Sequence, residues 1–171
     1  MSPDTPRWTR AIGLLAAGLL ACAAALAAPA RPLPDSFEML AVGRCMLGLG
    51  ECGGLDPLWW PPLYGLIAAG LDIILPTGAA LILPALLPMA LAAVPLVAFA
   101  SRLGGRMGAI VAGMALAALP VLHTRAMTGD ARGLGLALAA GAWVLATGSG
   151  GTWRAAAAGA LAGLAVLART E

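Results

Sequence analysis

The chain has no lysine, one histidine and three cysteines, and only 11% of its 171 residues are charged. Its ten basic residues are all arginine, scattered singly, with a net charge of +2. That leaves no basic stripe for a nucleic-acid backbone, so no nucleic-acid partner is expected. Three cysteines are too few for a disulfide framework. His123 and the carboxylates do not fall at metal-ligand spacing, so no metal-ligating residue is assigned. A polar surface for water is also missing. The composition is 61% hydrophobic with mean hydropathy +0.92, more apolar area than a domain of this size can hide. The solvent for most of the chain is therefore lipid.

Residues 11–28 form an uncharged apolar run after Arg7 and Arg10. An Ala-rich end and Leu19-Leu20-Ala21-Cys22 resemble a signal peptide or a lipoprotein cleavage box. The run continues past Cys22 and more membrane-grade sequence follows, so it reads as an uncleaved first span, about 27 Å long. Arg7 and Arg10 then hold the N-terminus in the cytoplasm.

Residues 29–60 are the polar part, with Arg31, Asp35, Glu38, Arg44, Glu51 and Asp56. Pro29, Pro32 and Pro34 keep the entry extended. From Ser36 to Leu47 the apolar residues recur at helical spacing, which predicts a short amphipathic helix lying on the membrane. Cys45 and Cys52 share this loop, and a bridge between them is possible if it faces an oxidising compartment. Cys22 lies in an apolar run and is expected to be inert.

Residues 57–75 open with Trp59, Trp60, Pro61, Pro62 and Tyr64, a helix start in the headgroup belt. The apolar part is about 14 residues, short for a core of roughly 30 Å, and Asp72 sits toward its end. Residues 79–101, 107–122, 133–147 and 155–168 are further candidate spans. If 57–75 crosses, Arg102 and Arg106 fall outside. If it lies in the outer interface, Arg7, Arg10, Arg102, Arg106 and Arg154 all fall inside, and Asp35 and Asp130 share the outer face. The positive-inside rule favours the second arrangement. The expectation is an all-α, polytopic transmembrane bundle of five spans, with two interfacial helices in a first outer loop at 29–78. Small residues at Ala158, Gly159, Ala162 and Gly163 mark a last helix meant to pack closely. The end at Arg169-Thr170-Glu171 reads as a fragment, with further spans and a soluble domain to follow.

Pro34-Asp35, Arg44 and Met46-Leu47 resemble the first outer loop of membrane glycosyltransferases with a GT-C fold, such as the aminoarabinose transferases and protein O-mannosyltransferases. Trp60-Pro61-Pro62-Leu63-Tyr64 is similar to their proline-aromatic motif, with Trp60 where aminoarabinose transferases carry lysine. Arg102-Leu103-Gly104-Gly105-Arg106 resembles their first cytoplasmic turn. Gly129-Asp130 falls where the family has a second outer-face Asp, and residues 163–171 resemble its Gly-Leu-Ala-x-Leu-Thr-Arg-Pro-Glu. The resemblance implies a bacterial inner-membrane enzyme that transfers a sugar from a polyprenyl-phosphate donor to a lipid or protein acceptor. It implies Asp35 as the catalytic carboxylate, with Asp130 as a second catalytic carboxylate on the same face. A carboxylate can take a proton from the acceptor hydroxyl. Arg44, Arg125 and Arg132 are the outer-face guanidiniums suited to the lipid phosphate, with Glu38 near them. Some relatives use a divalent metal and others do not. Residues 1–171 would be the N-terminal part of the membrane domain, inactive alone.

The same residues also have plainer readings. Asp35 with Glu38 three residues on makes a helix cap, and Asp130 can cap the helix after it. The arginines can reach to headgroups. Asp72 reads as a solvated interfacial end, His123 as a satisfied polar residue, and Tyr64, Trp143 and Trp153 as belt anchors. A small structural membrane protein or transporter subunit is the rival reading of the whole chain.

Overall fold

The computed structural model describes residues 6–27, 31–51, 54, 60–148 and 151–168. Over these the chain is all-helical: α1 (Arg7–Ala27), α2 (Pro34–Met46), α3 (Pro62–Asp72), α4 (Thr77–Ala118), α5 (Pro120–Met127), α6 (Arg132–Ala146) and α7 (Thr152–Ala168). No strand occurs among the described residues. Trp59, Asp56, Cys52 and the terminal Arg169-Thr170-Glu171 lie outside them.

Runs of Ala and Leu favour helix because they lose little side-chain freedom on ordering. The breaks fall where that composition stops. Prolines open α2, α3 and α5 at their first position, where a missing N–H costs nothing. In α4 the helical backbone breaks at Gly104 and Gly105, the latter with φ +57°. Side chains resist that conformation and glycine accepts it. The 42-residue helix is thus two arms, 77–103 and 106–118, joined by a reversal between the two spans expected there. Pro84, Pro88 and Pro95 stay inside the first arm.

Close glycine contacts give the register. A Cβ on Gly13 would meet Val94 Cα at 3.0 Å, and one on Gly113 would meet Ala16, Ile12 and Val97. So α1 runs against both arms of α4, around Ala16, Ala17, Leu20, Ala93 and Val97. Gly133 packs on Ala85 and Met89, while Trp143 meets Phe99 edge-on at 6.4 Å, so α6 runs alongside the first arm in the same direction. Gly141 packs on Leu161, and α7 returns against α6. A third cluster joins α3 to α2, α4 and the end of α7 through Leu40, Tyr64, Ala68, Leu81, Leu134 and Ala168.

This register sorts the charges to two ends. Arg7, Arg10, Arg102, Arg106 and Arg154 share one end, with no carboxylate among the described residues there. Asp35, Glu38, Asp72 and Asp130 lie at the other, with Arg31, Arg44, Arg125 and Arg132. Glu51 belongs with them, two residues past Leu49, whose N–H is bonded to the Arg44 carbonyl.

Two helices, α1 and α4, are long and apolar enough to cross a membrane. At 15 and 17 residues, α6 and α7 fall below the roughly 20 that a 30 Å core asks for. The expected five spans therefore reduce to two by this measure. Leu14, Leu15, Leu19, Leu87, Leu91, Val111 and Met114 are all more than half exposed. So much bare apolar surface marks contact with lipid or another apolar partner.

Among the described glycines, the closest backbone approach is between α2 and α3. A Cβ on Gly43 would lie 2.0 Å from the Gly65 carbonyl oxygen. The one glycine in α2 is therefore the point where two backbones cross. Gly43→Ala should lower stability by about 1–3 kcal/mol, the usual cost of overpacking. Gly70→Ala, with open space around its Cβ position, should be neutral or stabilising. Thermal unfolding of both variants in detergent micelles checks the contrast.

Candidate functional site

The site is built on residues 31–36. Arg31 and Leu33 donate their N–H groups to the carbonyls of Met127 and Thr128, at 3.2 and 3.1 Å. Extended backbone ahead of Pro34 is therefore strapped to the end of α5. At the third residue of the helix, the buried Ser36 hydroxyl lies 3.0 Å from the carbonyl oxygens of both Thr128 and Gly129. Nothing in the hydrophobic periodicity marked Ser36; the signal available was a small hydroxyl in the first turn of a helix otherwise facing apolar neighbours.

Gly129 completes the node. Its φ of +69° turns the chain between α5 and α6. A Cβ there would come within 3.0 Å of the Leu81 carbonyl oxygen and Tyr64 Oη, and 3.2 Å of Ser36 Oγ. Tyr64 is fully buried and donates its hydroxyl to the Leu81 carbonyl. It is a core residue, not the belt anchor expected: the crossing at Gly65 turns this face of α3 onto α4. Burial, and then the nearby Asp130 charge, push the Tyr64 hydroxyl above its ordinary range.

Asp35 is exposed, in the first turn of α2, and makes no ion pair with a described residue. The helix cap is Leu33, and no side chain caps it, so the Asp35 capping reading does not hold. Pro34 starts the helix one residue early and moves Asp35 inside it. Glu38, one turn on, is exposed as well.

Asp130 is the opposite case. Its Oδ1 accepts the Arg132 N–H at 2.9 Å, which satisfies a free donor at the start of α6, although the cap position itself is Ala131 and not Asp130 as the plainer reading had it. Its Oδ2 takes Arg125 Nη1 at 2.5 Å, with Arg132 Nη1 at 3.9 Å. Ser36 bonds to the residue before Asp130, so the structure brings the Asp35 and Asp130 turns together.

Arg44 is drawn elsewhere. Its Nε donates to Asp72 Oδ2 at 3.0 Å and a second guanidinium nitrogen binds the same oxygen, tying α2 to the end of α3. The Asp72 side chain is only 9% exposed, so it is not the solvated end expected. Hydrogen bonds from Arg44 and Thr77 hold its carboxyl below the usual carboxylate range. Cys45 beside Arg44 is disulfide-bonded and Cys22 is free; the third cysteine, Cys52, is outside the described residues. His123 is buried with Nε2 at 2.8 Å from the Ala117 carbonyl, a satisfied position as expected.

No group of three or more His, Cys, Asp or Glu side chains gathers among the described residues. They offer no preformed three-ligand metal site, and no step is drawn through a metal. No family model, curated protein or solved structure matches this chain.

Two outcomes test the node and the clamp. Gly129→Ala meets both a left-handed backbone and three close atoms, and should cost more than about 1 kcal/mol in thermal unfolding. The Arg44–Asp72 clamp contributes stability above the unfolded carboxyl value near 4 and loses it as pH falls through the lower folded value. Asp72→Asn should flatten that acid limb of the stability–pH curve.

Proposed function

We propose that the chain is part of a membrane glycosyltransferase whose chemistry lies at the carboxylate-bearing end, with Asp35 as general base. The observation that carries this reading is the contrast among its carboxylates. Asp72 and Asp130 are each neutralised by arginine, while Asp35 is exposed, without an ion pair to any described residue, on a turn strapped to the α5–α6 connection. A base must keep an accessible lone pair, and a structural carboxylate spends its own.

In the proposed reaction the Asp35 carboxylate accepts the proton of an acceptor hydroxyl. That oxygen bonds to the anomeric carbon of the donor, and the bond from this carbon to the phosphate oxygen breaks. The leaving polyprenyl phosphate keeps the electron pair. Arg125 and Arg132, whose side chains are 43% exposed, are suited to meet its charge. Arg44 keeps a 44% exposed side chain but already serves Asp72. Glu38 lies on the Asp35 side of α2, where it can meet sugar hydroxyls.

We further propose that α1, the two arms of α4 (the second continued by α5), α6 and α7 are five spans, with the arginine end in the cytoplasm. The charge sorting supports this under the positive-inside rule. The Cys45 disulfide supports an oxidising, outer location for α2.

Asp35→Asn, in the protein expressed from its complete reading frame, should lower transfer from a polyprenyl-phosphate sugar by about 100-fold or more with insertion unchanged. Retained transfer would remove Asp35 from the role. Topology is checked with a membrane-impermeant thiol reagent in a Cys22→Ser background. Ile74→Cys should label in intact cells and Gly104→Cys only after permeabilisation. Labelling of Gly104→Cys in intact cells would sink the orientation.

A further inference from the structure

The arginine end is not used by the proposed transfer, and its side chains are arranged for a ligand of their own. Packing of α1 on both arms of α4 brings Arg7 and Arg10 beside the Gly104–Gly105 reversal, which Arg102 and Arg106 flank. All four are exposed, and no described carboxylate is near to neutralise them. Two helices begin here, α1 and the second arm of α4, and their free N–H groups add positive potential at the same place. The first turn of α1 also carries an unsatisfied polar group. Thr9, in the first turn of α1, is 1% exposed, and its hydroxyl is the buried side-chain group among the described residues with no hydrogen-bond partner.

The surface next to this charge is apolar. Leu103 and Met107 at the reversal are 77% and 68% exposed, and Val111 and Met114 continue the bare face along the second arm. On α1, Leu14, Leu15 and Leu19 do the same beyond Arg10. A soluble anion would use the arginines and leave these stripes idle. A molecule with a phosphate head and long acyl chains uses both. We propose that the arginine end, at Arg7, Arg10, Arg102 and Arg106, is a binding site for an anionic glycerophospholipid, its head on the guanidiniums and its chains along α1 and the second arm. This goes beyond the transferase reading and does not rest on it.

The test is thermal stability of the full chain in a neutral detergent. Phosphatidylglycerol, phosphatidylcholine or inorganic phosphate is added at matched concentration. Phosphatidylglycerol should raise Tm by several degrees, and the other two should not. Arg102→Gln with Arg106→Gln should raise the half-saturating phosphatidylglycerol concentration roughly 30-fold, from about one surface-charge contribution per arginine. Arg31→Gln, at the other end, should leave it unchanged. If the double variant does not fold, Arg7→Gln with Arg10→Gln serves in its place. Equal stabilisation by phosphatidylcholine or by inorganic phosphate overturns the proposal. So does wild-type phosphatidylglycerol dependence in the arginine variant that folds.

Discussion

Two backbone hydrogen bonds and one hydroxyl hold the carboxylate-bearing end together. The N–H groups of Arg31 and Leu33 reach the carbonyls at the end of α5, and Ser36 seals the junction. Carbonyls at a helix end have no partner inside the helix, and in an apolar setting an unpaired one is costly. Here the extended strap supplies part of what α5 lacks. The same bonds fix where α2 begins and therefore where Asp35 stands. Most of the arrangement at that end follows: α2 crosses α3 at Gly43 and Gly65, α3 buries Tyr64 against α4, and Gly129 leaves room for all of them.

The two ends handle charge differently. At the strap end, two of the carboxylates are paired with arginines, and Arg44–Asp72 and Arg125–Asp130 act as ties between elements. Exposed pairs add little stability, but the Asp72 and Asp130 side chains are largely covered, so leaving either unpaired would be costly. At the other end the exposed arginines have no carboxylate beside them among the described residues, and their side chains face outward. Arg154 differs from these: it is buried, and a Cβ on Gly148 would come 2.8 Å from its Nη1, so it closes the α6–α7 turn.

Much of the helix layout was legible because Ala-Leu runs and their breaks are local signals. The polar islands and the reversal at Gly104–Gly105 read directly from composition, but the close packing expected of the small residues in α7 is found only at Ala158: Gly159, Ala162 and Gly163 are exposed, with open space around both glycines. Long-range packing was not legible. Asp72 looked like a solvated end because nothing in the sequence says that Arg44, 28 residues away, will meet it. Tyr64 carried the signature of a headgroup anchor, and only the glycine crossing beside it turns its ring inward. Ser36 and Gly129 form the node yet stand in no motif, since they meet from 93 residues apart in sequence. Proximity of the Asp35 and Asp130 turns could be reached from charge placement, whereas the ion pairs that separate their roles could not.

Tyr64 is the chain's single tyrosine, and it sits at the junction of four elements. Its phenol is shielded from hydroxide while that junction is shut. Tyrosinate absorption roughly one pH unit above the ordinary tyrosine value of about 10 therefore acts as a built-in optical gauge of one end of the molecule. Loosening of the arginine end would leave it dark. Opening of the strap would bring it on, with no label attached to the protein.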